Sequence, residues 1–200
     1  MRVSISKENR KMGHISSVSL PAGVTCRPNC PCLPICYANR MEKYRQNVRN
    51  AYQTNLYLLR VSPETYWREV EAAIMMTRYF RFHVSGDIPD VPYFTHMVEV
   101  SLRNPHCEIL CFTKQYELVN RCLDAGVVIP GNLHIVFSAW QGLPMPNPHN
   151  LPTAHVIYKD GTTTAPENAK ECDGFCEECV KQTGGCWSMK KGEAVKFHEH

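Results

Sequence analysis

Apolar positions change period several times along the chain, and each change marks an element. Ile15, Val18 and Leu20 alternate imperfectly before Pro21-Ala22-Gly23, which predicts a short strand over 14–20. From Tyr37 the spacing turns helical: Met41, Tyr44, Val48, Tyr52, Leu56 and Leu59 recur every three or four residues with Arg and Lys between them. A second helix opens at Ser62-Pro63-Glu64, with Ser62 as N-cap and Pro63 in the first turn, and carries the stripe Trp67, Val70, Ile74 and Thr77. Alternation returns with Phe80, Phe82 and Val84 on one face and Arg81, His83 and Ser85 on the other. A strand is therefore predicted over 79–87, ending in Ser85-Gly86-Asp87. Further elements follow as a helix over 91–104 stopped before Pro105, a strand over 108–113 and a helix over 116–125 closed by Gly126. Strands over 133–138 and 155–158 complete the series, the last inside a loop over 141–170 rich in proline, threonine and asparagine.

Strand and helix in alternation are the signature of right-handed parallel βα units. About five strands in ~160 residues are too few for a closed eight-stranded barrel, which needs roughly 250 residues. The expected fold is therefore α/β, a partial, open parallel βα barrel over residues 1–160. A cysteine-rich C-terminal extension, residues 161–200, is expected to pack on it. In such sheets chemistry gathers at the C-terminal strand ends. The polar groups predicted there are a loop over 25–37, Ser85-Gly86-Asp87, Thr113-Lys114, Ser138 to Trp140, and Tyr158-Lys159-Asp160.

Composition changes the picture at one residue type. The chain of 200 residues carries 11 cysteines. Cys107, Cys111 and Cys122 stand singly in apolar contexts and read as buried small hydrophobes. Cys26, Cys30, Cys32 and Cys36 fall in one stretch with Pro28, Pro31 and Pro34 between them, which rules out a regular helix or a central strand there. Such a shaped loop suits thiolates gathered around a metal or an iron–sulfur cluster. A second quartet, Cys172, Cys176, Cys179 and Cys186, is a metal signal that does not choose between zinc and a cluster. Trp187, beside Cys186, is placed to shield it from water. No apolar core of signal-peptide length follows Met1, so a cytoplasmic chain without structural disulfides is expected. No apolar run approaches the ~20 residues of a membrane span.

The net charge of +3 is uneven: residues 1–60 hold ten Lys/Arg against Glu8 and Glu42 alone. That basic segment would offset an anionic cluster, attract nucleic acid or a carboxylate substrate, or simply be solvated. Lys114 at a strand end would meet an anion or solvent. Asp87 would bind a cofactor amine or cap the following helix. Arg81 and His83, on one strand face, would line the cavity, a core histidine being the alternative. His198-Glu199-His200 reads as a disordered tail.

Several stretches together resemble one family: Ser6-Lys7, residues 19–26 from Ser19 to Cys26, Cys32 with Cys36-Tyr37-Ala38, residues 81–87 from Arg81 to Asp87, and Phe112-Thr113-Lys114. They are similar to the phage gene product 88 family. The resemblance implies a phage-encoded protein in the host cell, with a partial barrel of the radical S-adenosylmethionine type carrying a [4Fe-4S] cluster. It also implies that Ser85, Gly86 and Asp87 stand where such enzymes hold the methionine amine. The loop departs from that pattern. Its cysteines are spaced C-x3-C-x-C-x3-C, and C-x3-C-x2-C occurs only at Cys172, Cys176 and Cys179. If all four loop cysteines bind one cluster, no iron is open to S-adenosylmethionine. If Cys30 is spare, Cys26, Cys32 and Cys36 are the core ligands with a fourth from the tail.

Two functions are therefore expected in competition. One is an iron–sulfur protein with one or two [4Fe-4S] clusters, a radical or redox enzyme taking a small molecule at Ser85, Gly86, Asp87 and Lys114. The other is a non-catalytic protein stapled by zinc or a cluster, whose basic first 60 residues contact nucleic acid or a host protein.

Overall fold

The computed structural model describes residues 1–199. Eight strands make one open sheet: β1 (Ile5–Ser6), β2 (Ser16–Val18), β3 (Tyr79–Phe82), β4 (Glu108–Thr113), β5 (Leu133–Ser138), β6 (Thr153–Ile157), β7 (Lys170–Glu171) and β8 (Ala194–His198). Their order is β1-β2-β3-β4-β5-β6-β8-β7, with β1 antiparallel to β2 and all other pairs parallel. From β2 to β6 the spatial order follows the chain order, so the winding never reverses and the crossover helices share a face. These are α1 (Tyr37–Tyr44), α2 (Gln46–Val61), α3 (Pro63–Met75), α4 (Val91–Arg103) and α5 (Tyr116–Asp124).

On the helix face, Phe80, Phe82, Ile109, Cys111, Ile135 and Phe137 pack with Leu56, Trp67, Ile74, Phe94, Met97 and Val119 in one buried cluster. The strand residues between them point the other way. Leu110, Val136, Ala154 and Val195 form a second cluster with Met12, Ile15, Val180 and Trp187. Both faces of β4 and β5 are thus covered, which is why Ile109 to Cys111 and Ile135 to Phe137 read as continuous apolar runs. Cys107, Cys111 and Cys122 are buried as small apolar side chains.

Several boundaries differ from the sequence expectation for local physical reasons. The single helix expected from Tyr37 breaks at Arg45, whose backbone is extended (φ −122°, ψ 98°), so α1 stays with the cysteine loop while α2 joins the core. Ser62 holds the N-cap position of α3, yet its hydroxyl donates to Thr65 Oγ1 and not to a backbone amide. The strand expected to reach Asp87 stops at Phe82, because His83 turns into the left-handed region (φ +61°). Arg81 and His83 both line the cavity, as expected, although the turn also packs the His83 ring against Phe82 and Tyr93. Asp90, not Asp87, caps α4 by accepting from the Tyr93 amide at 2.8 Å.

The extension does more than pack on the sheet. It contains α6 (Cys176–Thr183) and inserts β8 between β6 and β7. The Trp187 indole N–H donates to the Phe80 carbonyl at 2.8 Å and seals the face opposite the helices. The expected disorder at the C-terminus does not hold for His198, which lies in β8, or for Glu199, whose amide donates to the Ile157 carbonyl at 2.9 Å. His200 lies outside the described residues.

A candidate cysteine-lined site

The cysteine loop leaves the C-terminal end of β2 and is stitched to the segment after β3. Leu20 N–H donates to the Ser85 carbonyl at 3.1 Å. Thr25 Oγ1 accepts from the Asp87 amide at 3.1 Å and donates to the Pro21 carbonyl at 3.2 Å. Glu42, on α1, is 8% exposed and accepts from the Ala22 amide at 2.8 Å and the Ser85 hydroxyl at 2.7 Å. Gly86, at φ +77°, lies so close beneath the loop that a Cβ would stand 2.5 Å from Thr25 Oγ1 and 2.6 Å from the Leu20 carbonyl oxygen. Tyr37 adds a hydrogen bond from its hydroxyl to the Val84 carbonyl at 2.6 Å.

Within the loop, a short 3-10 turn over Leu33–Ile35 brings three sulfurs together. The Cys30 and Cys32 sulfurs are 3.2 Å apart, and Cys32 also contacts Cys36. Cys32 is pushed up because it holds its proton between those two neighbours. Cys30 and Cys36 are each drawn down to about 6, first by the Cys32 contact against the opposing effect of burial, with Lys114 adding a smaller pull. Burial pushes Cys26 up to about 12. Thiolate is the ligating form of cysteine, so two of the four loop sulfurs are biased towards it.

Asp87 and Lys114 face this loop across a cavity of about 500 Å³. Asp87 Oδ1 accepts from the Thr113 hydroxyl at 2.6 Å and the Ile88 amide at 2.8 Å, and Oδ2 from the Lys114 amide at 2.9 Å. Burial raises its pKa against the pull of those bonds. Lys114 Nζ donates to Ser138 Oγ at 2.9 Å and lies 5.6 Å from the centroid of the Trp140 ring. Ser85 and Gly86 border the same cavity.

The tail reaches it too: Cys172, Cys176 and Cys186 line the cavity with the loop cysteines. Cys179 alone of the eight lies outside the lining, its sulfur 3.8 Å from the Thr183 hydroxyl. Burial raises Cys176 and pushes Cys186 up to about 12, while the charge of Arg81 acts in the other direction on both. Arg81 lies over the Phe112 ring at 4.9 Å. His83 lines the same cavity, is 3% exposed and packs its ring against Phe82 and Tyr93.

Among the described residues no three His, Cys, Asp or Glu side chains already stand as a set of ligands. Two thiolates on one tetrahedral zinc would be about 3.8 Å apart for a Zn–S bond of about 2.3 Å, wider than the Cys30–Cys32 separation of 3.2 Å. The chemistry of the donor set nevertheless fits a thiophilic group: cysteines from two distant segments converge, and the cations Lys114 and Arg81 border them. Glu42 and Thr25, which hold the loop in place, escaped the sequence reading. The one available signal was Glu42 standing as a lone acid among the cations between residues 27 and 60.

Among the described residues no helix is long and apolar enough to cross a membrane. No curated protein and no solved structure matches the chain. The family model described as Gene product 88 matches residues 3–167, taking in the cysteine loop, Arg81, the Ser85-Gly86-Asp87 turn and Lys114, and ending before the tail cysteines. The chain therefore belongs to the gene product 88 family.

Proposed function

We propose that this chain is an iron–sulfur protein of the phage-infected cell's cytoplasm, whose loop cysteines hold a [4Fe-4S] cluster at the mouth of a small-molecule cavity. The observation that carries the reading is the meeting of two cysteine sets, Cys26 to Cys36 and Cys172 to Cys186, on one cavity at the C-terminal strand ends. Cys30, Cys32 and Cys36 are the sulfurs already in contact, and Cys26 lines the same cavity. The fourth position falls to Cys26 or to a tail cysteine, and the tail quartet takes a second cluster or zinc. A cluster with one open iron would supply one-electron chemistry to S-adenosylmethionine or another small molecule. The open sheet would then serve as a partial barrel, with Ser85, Gly86, Asp87 and Lys114 the chain's own groups facing that molecule.

A second reading, a stapled binding protein, is favoured by a different surface. Arg40, Lys43, Arg45 and Arg49 are exposed on α1, α2 and the break between them, with Tyr44 83% exposed beside them. Cations interleaved with an aromatic suit a nucleic-acid strand.

The test is iron, sulfide and zinc content with a visible spectrum on anaerobically purified full chain. Two variant sets are compared, Cys26, Cys32 and Cys36 to Ala, and Cys172, Cys176 and Cys186 to Ala. About four irons and four sulfides lost with the loop set supports the proposal. Stoichiometric zinc without sulfide overturns it, and salt-sensitive nucleic-acid binding by that colourless protein would establish the second reading.

A further inference from the structure

We propose that Arg81 anchors a binding site for a small organic carboxylate with an apolar body, on the tail side of the strand-end cavity. Arg81 leaves β3 on the face opposite the helices and lies over Phe112, its guanidinium carbon 4.9 Å from the ring centroid. Its five N–H donors are poorly used. Nη1 reaches the Met12 sulfur at 3.8 Å and Nη2 the His83 carbonyl at 3.5 Å, both at the limit of a hydrogen bond. Nε is buried with no partner. Among the described residues no Asp or Glu forms an ion pair with Arg81, whereas Arg103 and Arg27 each have one.

A cation with unused donors at the wall of a cavity calls for an anion, and a guanidinium, planar by its own bonding, presents a fork that matches a carboxylate in two parallel hydrogen bonds. The rest of this wall sets the ligand's body. Leu110, Phe112, Val156, Val195 and Phe197 line the same cavity and suit an apolar body, while Lys11, over the Phe197 ring at 5.5 Å, and Arg40 line it as well. Of the other lining cations, Lys114 already donates to Ser138 beside the loop cysteines. A cavity of about 500 Å³ has the size of a small-molecule site. Such a ligand would lie between the two cysteine sets.

What Arg81 binds and what the cysteines hold are two questions that one set of samples separates. Full-length protein, purified anaerobically and assayed for iron and zinc, is titrated calorimetrically with 3-phenylpropionate, with its neutral amide, and with inorganic phosphate. The expected result is binding of the carboxylate, at least about ten-fold weaker binding of the amide, and no competition by phosphate. Arg81→Met should remove the preference for carboxylate while metal content stays at the wild-type level. Arg81→Lys keeps the charge without the fork, guards against a folding failure of the first variant, and should bind the carboxylate about ten-fold more weakly than wild type. The proposal is overturned if neither probe binds, if the amide binds as well as the carboxylate, if phosphate competes equally, if the preference survives in Arg81→Met, or if Arg81→Lys binds the carboxylate as tightly as wild type. Metal lost from Arg81→Met with the fold intact would also overturn it, by assigning Arg81 to the cysteines.

Discussion

Ser85 donates its hydroxyl to the Glu42 carboxylate over 2.7 Å, and neither residue is more than 8% exposed. One hydrogen bond thus joins the helix that follows the cysteine loop to the turn that follows β3. The same carboxylate takes the Ala22 amide from the loop's entrance, so three segments meet on one side chain. Removing it strands the buried Ser85 hydroxyl and the partly buried Ala22 amide, an unsatisfied buried donor costing about 1–3 kcal/mol. Glu42→Ala should therefore lower stability by about 2–4 kcal/mol in urea unfolding, and Glu42→Gln, which keeps an oxygen acceptor, by about half as much. The metal content of Glu42→Ala should fall with loop order. A change below about 0.5 kcal/mol would show that the loop is held elsewhere.

Gly86 makes a comparison possible within one molecule. Gly86 and Gly126 both have positive φ, +77° and +92°, but an added Cβ meets backbone and Thr25 at Gly86 and nothing within 4 Å at Gly126. Gly126→Ala should cost only the left-handed backbone, about 1 kcal/mol. Gly86→Ala adds the overlap and should cost about 3 kcal/mol or more, with the loop pushed from the β3 end. Equal melting temperatures for the two variants would contradict the close approach of loop and turn.

His83 gives the fold a pH dependence whose sign follows from its burial. Burial, with the charge of Arg81 in the same direction, draws its pKa down to about 3, against about 6.5 in an unfolded chain. Between those values the unfolded chain binds a proton that the folded chain refuses, so stability is unaffected above pH 6.5 and is lost as pH falls through the window. From pH 7 to pH 5 the loss from this residue should be about 2 kcal/mol. His83→Phe, set among Phe82 and Tyr93, should remove that part of the slope in urea unfolding at the two pH values. An unchanged slope would mean that the imidazole is hydrated.

Local pattern determined much of the chain by itself. The strands over 108–113 and 133–138 were legible to the residue, and the helices before and after them nearly so, because alternation and helical spacing are written in neighbouring side chains. The apolar setting of Cys107, Cys111 and Cys122 likewise announced their burial.

Tertiary structure decided what depends on residues far apart in the chain. No local pattern says that β8 slots between β6 and β7, since a strand's neighbours are chosen by the sheet and not by its own residues. The left-handed turn at His83 overrode an intact alternation, ending β3 at Phe82 and packing the His83 ring against Phe82 and Tyr93, while Arg81 and His83 both border the cavity. The cysteine quartets were visible as spacing, yet their meeting on one cavity, and the place of Glu42 beneath the loop, follow from contacts across long stretches of chain. Those contacts need both faces of the sheet covered, because the helices fix the strand ends on one side and Trp187 carries the tail across the other.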